Sequence, residues 1–316
     1  MTSRLQHFPV AWFAMIMGLA GLTLAWRKAE ETLTLGVTLS PWLLGLTSVL
    51  FVAVAALYSA KVFKYRAAAA GEWAHPVKLS FVPTASIALI LLSIAWLPYS
   101  QPYSKLFWLV GVSLHLILTL HVITQWMHQT RFEIVHLNPA WFIPVVGNIL
   151  VPIAGVEHAP VEVSWFFFSI GIVFWPVLLT MIFYRIVFHG SLPERLTPTL
   201  FILIAPPAVG FLSYVRLTGE ANAFAHVLYH AALFFTLLLL AQLPRFARIP
   251  FFLSWWAYSF PLAAITIATL VMFQHTGEPL FLRLSALLLA VASVVIVGLF
   301  LRTALAVARK EICVQE

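Results

Sequence analysis

Ten apolar segments, each near the length of a helix that crosses a bilayer, follow one another along the 316 residues. The chain is 62% hydrophobic and only 9% charged, so too little charge is available to cover the surface of an ordinary soluble domain. The sequence therefore predicts a single all-α transmembrane domain over residues 1–316. The ten spans are predicted at 8–26, 41–63, 79–98, 105–127, 140–157, 163–188, 196–215, 222–243, 250–273 and 280–308.

Basic residues are divided unequally between the two ends of these spans. With ten spans both termini lie on one side of the membrane, and the loops of that side hold most of the 18 Lys and Arg residues. The positive-inside rule then places both termini in the cytoplasm. In so apolar a chain, the net charge of +7 indicates cytoplasmic loops and lipid headgroups as partners, and not nucleic acid.

Prolines are concentrated in the odd-numbered spans. They stand at positions 9, 83, 144, 152, 198, 206, 207, 250 and 261, whereas Pro176 alone lies well inside an even span. A broken helix followed by a regular one, five times over, is typical of an internal hairpin repeat. Because broken backbone in a membrane must be shielded, we expect an inner ring of five odd spans around a pore and an outer ring of five even spans.

Span nine contains the most informative break. Pro261 lacks an N–H and its ring crowds the carbonyl of Ala257, so we expect the helix to bend or open there. Counted from Pro250 at about 1.5 Å per residue, Pro261 lies roughly 16 Å deep, near the middle of the bilayer. The preceding residue, Phe260, is therefore predicted to plug the pore.

The interiors of the odd spans contain small residues and no Lys, Arg, Asp or Glu. In span one, Ala14, Gly18 and Gly21 lie close to one face. A pathway without acids disfavours cations, while helix N-termini at the breaks favour anions. The alternative is that the prolines merely shape a helix bundle, since proline is common in membrane helices.

Several side chains allow two interpretations. Phe81 could line the pore or fill the core, and Asn148 could face the pore or tie two helices together. His115, near mid-depth in span four, is either a functional titratable group or a hydrogen-bonding partner of a neighbouring helix. His226 and His230 have the spacing of a metal pair, but without a third ligand we expect an interfacial pair. No metal or cofactor is predicted.

Catalytic patterns are absent from the sequence. It contains no G-x-S-x-G, no H-E-x-x-H and no Asp at all, and its single Cys313 rules out a disulfide framework. An intramembrane enzyme is therefore not predicted.

Five segments together resemble the TehA family, which includes bacterial tellurite-resistance proteins, fungal malate and sulfite transporters and the slow anion channel of plant guard cells. They are Phe8-Pro9 with Met17-Gly18-Leu19-Ala20-Gly21-Leu22, His75-Pro76-Val77-Lys78-Leu79-Ser80-Phe81, Asn138-Pro139-Ala140-Trp141 with Pro144, Ala205-Pro206, and Trp256-Ala257-Tyr258-Ser259-Phe260. The likeness extends over essentially all ten spans.

The resemblance implies a homotrimer in the bacterial cytoplasmic membrane, with one pore in each subunit and Phe260 as its gate. Pro261 is a departure, because some bacterial relatives carry glycine there. We expect pore-lining or kink positions at Ala14, Met17, Gly18, Phe81, Pro83, Asn148, Pro152, Pro206 and Pro261. The leading hypothesis is a passive channel for small inorganic or organic anions. The alternative is a proton-coupled carrier of C4-dicarboxylate, sulfite or tellurite-type oxyanions.

Overall fold

The computed structural model describes residues 4–33 and 36–314, and within them the chain forms helices and no strand. Within these described residues, ten helical segments are long and apolar enough to span a membrane, which confirms the predicted all-α class and number of spans. We number them span one to span ten. They are Val10–Leu33, Ser40–Lys64, Lys78–Trp96, Gln101–His128, Pro139–His158, Val161–Phe188, Thr197–Thr218, Ala223–Leu240, Leu253–Thr276 and Pro279–Ala308.

Spans one and seven continue further than their sequence suggests and include charged residues in their last turns. Span one runs to Leu33 instead of ending at Trp26, and an ion pair of 2.9 Å between Arg27 and Glu31 supports its last turns. Span seven ends at Thr218 instead of residue 215. The charged residues near these two ends therefore belong to the spans and not to the loops.

Every odd span begins with a 3-10 segment and continues as an α-helix. In span nine the 3-10 segment is Leu253–Tyr258 and the α-helix is Ser259–Thr276. The corresponding α-helices begin at Phe13, Thr84, Val151 and Ala205 in spans one, three, five and seven; span five contains a further short α-helix, Phe142–Val146, before its second 3-10 segment.

The prolines of the odd spans mark these junctions. Pro83 directly precedes its α-helix, and Pro152, Pro206 and Pro261 lie within the first three residues of theirs. Proline is tolerated in the first turn of a helix because its missing N–H would have little to bond there. The expected opening of span nine thus precedes Pro261 instead of occurring at it, and Phe260 lies inside the α-helix.

The even spans are uninterrupted α-helices, and they are far less buried than the odd spans. Between 67% and 83% of the apolar stretch of each odd span is buried, compared with 17% to 39% for each even span. Each odd span packs against the even span that follows it, giving five helical hairpins. The odd spans also contact one another in the order one, three, five, seven, nine, and span nine contacts span one.

A short helix that the sequence analysis did not predict, Arg66–Ala74, joins spans two and three. Its Glu72 forms a buried ion pair with Lys61 at the end of span two, with 3.0 Å between Nζ and Oε2. Lys61 also donates to the carbonyl of Phe8, and Glu72 accepts from the N–H of Val10 and the hydroxyl of Tyr58. These bonds satisfy backbone groups at the start of span one, where no complete helical turn precedes them.

Candidate pore

A cavity of about 50 Å³ lies between the odd spans. Every side chain in its wall belongs to an odd span, and all five odd spans contribute. The wall consists of Met17 from span one, Ile87 from span three, Phe142, Ile143, Val146, Gly147 and Leu150 from span five, Ile202, Ala205, Pro206 and Val209 from span seven, and Phe260 from span nine. This lining is almost entirely apolar, so it offers water few hydrogen-bond partners.

Phe260 is held against the backbone of span one. A Cβ atom added to Gly21 would lie 3.2 Å from Cδ2 of Phe260 and 3.7 Å from its Cα. It would also lie 3.0 Å from the Cβ of Ala263, one turn further along span nine. The missing side chain of Gly21 therefore lets the aromatic ring approach span one closely and helps to set its position.

The residues before Phe260 are anchored on both sides. A Cβ atom at Gly18 would lie 2.2 Å from Oγ of Ser259, so only glycine fits at this contact between spans one and nine. Ser259 donates to the carbonyl of Trp256 at 2.5 Å, and Nε1 of Trp256 donates to Thr303 of span ten at 3.0 Å. Gly18 is thus a packing position between helices and does not belong to the cavity wall.

Among the other expected positions, Met17 and Pro206 lie with Phe260 in the cavity wall. Pro83, Pro152 and Pro261 do not line it; they lie at the junctions of 3-10 and α-helix described above. Ala14 and Phe81 are also outside the wall, and both are half-buried residues that pack against the hydrophobic core.

Asn148 ties two spans together and does not line the cavity. Its Nδ2 donates to Oγ1 of Thr119 in span four at 3.1 Å and to the carbonyl of Val145 at 2.7 Å. Thr119 in turn donates to the carbonyl of Pro144 at 2.7 Å. A polar group of an even span therefore satisfies a carbonyl at the break in span five, as buried backbone requires.

His115 is fully buried between spans three, four and five. Its Nδ1 shares a hydrogen bond of 2.8 Å with Oγ of Ser86 in span three, which confirms the predicted bond to a neighbouring helix. Its Nε2 lies directly behind the cavity wall, because a Cβ atom at Gly147 would be only 2.8 Å away. This proximity was not predicted from the sequence, although the glycine immediately before Asn148 was an available signal for it.

The two histidines of span eight lie in the first turns of its helix, and they interact with each other and with the backbone of that helix. The rings of His226 and His230 stack with centroids 5.8 Å apart, and Nδ1 of His230 bonds to the carbonyl of His226 at 2.8 Å. In the part of the chain that the structure describes, no group of three or more His, Cys, Asp or Glu side chains could hold a metal ion.

Most of the apolar lining was not identified from the sequence. Within span seven, Ile202, Pro206 and Val209 recur every three or four residues, and span five shows a similar spacing at Ile143, Gly147 and Leu150. Such spacing is typical of one face of a helix. The signal was therefore present, but it could be assigned to a pore only with the other spans in place.

Comparison with known proteins gives a consistent result. A family model described as a voltage-dependent anion channel, SLAC1, matches residues 7–304. The S-type anion channel SLAH3 of Arabidopsis thaliana is 27% identical over 307 residues, and an uncharacterized transporter of Methanocaldococcus jannaschii is 26% identical over 301 residues. The tellurite resistance protein TehA homolog of Haemophilus influenzae is 26% identical over 266 residues.

These matches differ in how much of each relative they cover. The alignment with SLAH3 includes 95% of this chain but only 48% of the plant protein, so the chain spans about half the length of that relative. The alignment with the archaeal transporter includes 88% of this chain and 88% of the transporter. The alignment with the TehA homolog includes 81% of this chain and 79% of the homolog.

Proposed function

This chain belongs to the SLAC1 family of voltage-dependent anion channels, and from that premise we propose that it conducts small anions passively across a membrane. The pathway runs between the five odd spans, and the side chain of Phe260 closes it. In this proposal the protein is a homotrimer in the bacterial cytoplasmic membrane, with both termini in the cytoplasm and a separate pathway in each subunit.

One observation carries the proposal: the cavity wall is formed by all five odd spans and by no even span, with Phe260 in it. The remaining cavity is small and apolar, so an ion cannot enter without losing its hydration. Gating by an apolar constriction needs only the displacement of a bulky side chain and the entry of water. Phe260 is the sole residue of span nine in the wall, so its displacement would open that side of the cavity.

The preference for anions is supported by the backbone and by the absence of acids from the wall. Each odd span contains the start of at least one α-helix, and these helix N-termini point toward the side that holds the chain termini. The helix macrodipole gives each helix N-terminus a partial positive charge, which stabilises anions and opposes cations. Because the lining is apolar, weakly hydrated monovalent anions such as bromide and nitrate should pass more readily than sulfate.

The alternative, a proton-coupled carrier of dicarboxylate, sulfite or tellurite-type anions, is favoured by His115 alone. Its imidazole lies behind Gly147 in the cavity wall, where a change of charge could affect an anion in the pathway. A carrier of this kind would show uptake driven by a pH gradient, and His115→Asn would abolish that uptake. A passive channel would instead show currents that reverse at the anion equilibrium potential in both proteins.

The experiment that tests the leading proposal is the current carried by Phe260→Ala in planar bilayers. We expect the anion current to rise at least about tenfold over the unsubstituted protein, which corresponds to lowering the barrier by about 1.4 kcal/mol. Phe211→Ala is the matched control, because Phe211 is also a buried phenylalanine of an odd span but lies outside the cavity wall. An unchanged current in a folded Phe260→Ala protein would reject Phe260 as the gate.

A further inference from the structure

The face of span one that lines the cavity continues toward the membrane side that holds neither terminus. Met17 lies in the α-helix Phe13–Leu33, and Lys28 follows it by about three helical turns on the same face. In span seven, Arg216 follows Val209 by about two turns, again on the same face of one α-helix. Both basic side chains therefore lie along the extension of the cavity wall.

Lys28 and Arg216 lie near the C-terminal ends of the α-helices of spans one and seven, at the same end of the bundle. Span nine contacts both span one and span seven, so these two spans face each other across the ring of odd spans. Lys28 is half-buried and Arg216 retains about two fifths of its side-chain exposure, so both remain accessible from one end of the bundle. Two cations at the mouth of a pathway repel one another, and an anion between them offsets this repulsion by attracting both.

The neighbouring acids leave this pair incompletely neutralised. Arg216 bonds to Oε1 of Glu157 at 2.5 Å, while Glu31, the acid that attracts Lys28, is already paired with Arg27 at 2.9 Å. Three basic groups thus share two carboxylates. Among the residues that the structure describes, none forms a hydrogen bond or ion pair with the ammonium group of Lys28, so its donors remain available.

We propose that Lys28 and Arg216 form a binding site for a small monovalent anion at the end of the pathway away from the chain termini. The inference rests on the proposed function, since it assigns the recruiting site of the same pathway. The ammonium group supplies up to three donors, and the guanidinium retains donors beyond those used by Glu157 and the carbonyl of Ile153. An anion bridging them gains two charge-assisted hydrogen bonds and relieves the repulsion between the cations.

The site has a consequence for transport. An anion held here stands at the mouth of the pathway before it reaches Phe260, so the site raises the local anion concentration on this side. We therefore expect current driven from this side to saturate at a lower anion concentration than current driven from the opposite side. Lys28→Gln should remove most of that difference.

Direct binding is tested by the thermal unfolding of the detergent-solubilised protein in sodium bromide and in sodium gluconate at equal ionic strength. Bromide should raise the melting temperature of the unsubstituted protein, because a ligand that binds only the folded state stabilises it. Lys28→Gln should reduce this rise by at least half, and Lys28→Arg should retain it. Lys105→Gln is the control, since Lys105 is an exposed lysine near the same membrane side, at the start of span four.

Current measurements in the Phe260→Ala background test the proposed anion site separately from the proposed conduction pathway. There we expect Lys28→Gln to lower the current at low bromide at least about threefold, with Lys105→Gln unchanged. If Phe260→Ala conducts but Lys28→Gln and Lys105→Gln match the parent in both assays, the binding site is overturned. If Phe260→Ala does not conduct while bromide still stabilises the protein through Lys28, the site stands and the conduction proposal fails.

Discussion

The odd spans and the even spans are helices of similar length with opposite characters. Each odd span starts as a 3-10 segment and is at least 67% buried, whereas each even span is one continuous α-helix and is at most 39% buried. Irregular backbone in a membrane is tolerated only where protein or water satisfies its polar groups. This difference indicates that the even spans shield the irregular backbone of the odd spans from lipid and so allow it to exist in a membrane.

The covering is chemical as well as steric. In span four, Thr119 donates to the carbonyl of Pro144 and Nε1 of Trp108 donates to the carbonyl of Val151 at 3.1 Å, both at breaks of span five. In span two, Lys61 donates to the carbonyl of Phe8 at the start of span one. Even spans therefore supply hydrogen-bond donors at points where the odd spans lack a regular helical turn.

The largest effect on stability is expected where that support includes a buried charge. Glu72→Gln leaves the ammonium of Lys61, which is only 2% exposed, without its carboxylate. Breaking a buried ion pair in this way costs about 3–5 kcal/mol, and we expect chemical denaturation in detergent to show that loss.

Glu311→Gln is the matched control for Glu72→Gln. Its ion pair with Arg302 is 2.8 Å long but exposed, and such pairs contribute about 0–1 kcal/mol. If both variants lost the same free energy of unfolding, burial of the Lys61–Glu72 ion pair would not add to the stability of span one.

A smaller difference is expected between glycines of the two classes of span. In Gly18→Ala the new Cβ meets Ser259 at 2.2 Å, and overpacking of this kind costs about 1–3 kcal/mol. In span two, a Cβ at Gly45 meets nothing within 4 Å, so Gly45→Ala should change stability by no more than about 1 kcal/mol. Thermal unfolding of the two variants measures this difference in stability. An equal loss of stability in Gly45→Ala and Gly18→Ala would contradict the prediction.

Much of the fold could be predicted from the sequence, because apolar length and proline placement depend on local properties of the chain. The ten spans and the broken character of the odd ones follow from these two signals alone. The charged ends of spans one and seven were missed, since Lys28 and Arg216 were treated as the boundary of the apolar run. The ion pair of Lys61 and Glu72 depends on how a loop helix folds back, which no local pattern specifies.

The cavity wall could be predicted only in part for a geometrical reason. Met17, Pro206 and Phe260 were identified, whereas most of the wall from spans five and seven was not. A 3-10 helix has about 3.0 residues per turn and an α-helix about 3.6, so each residue in the 3-10 segment adds roughly 20° to the rotation. Over the six residues Leu253–Tyr258 this difference in rotation adds up to more than a quarter of a turn, so α-helical counting from the start of span nine misplaces the residues after its junction.

The most direct test of where anions pass compares two alanines replaced by cysteine in the Phe260→Ala, Cys313→Ser background. Ala205 lines the cavity in an odd span, and Ala290 is exposed on the surface of even span ten. Removing Cys313 eliminates the native thiol, which burial makes a poor nucleophile by raising its pKa. An anionic, membrane-impermeant methanethiosulfonate should block the current through Ala205→Cys and leave Ala290→Cys unaffected. Conduction that persists after treatment of Ala205→Cys, or a block at Ala290→Cys, would contradict a pathway enclosed by the odd spans.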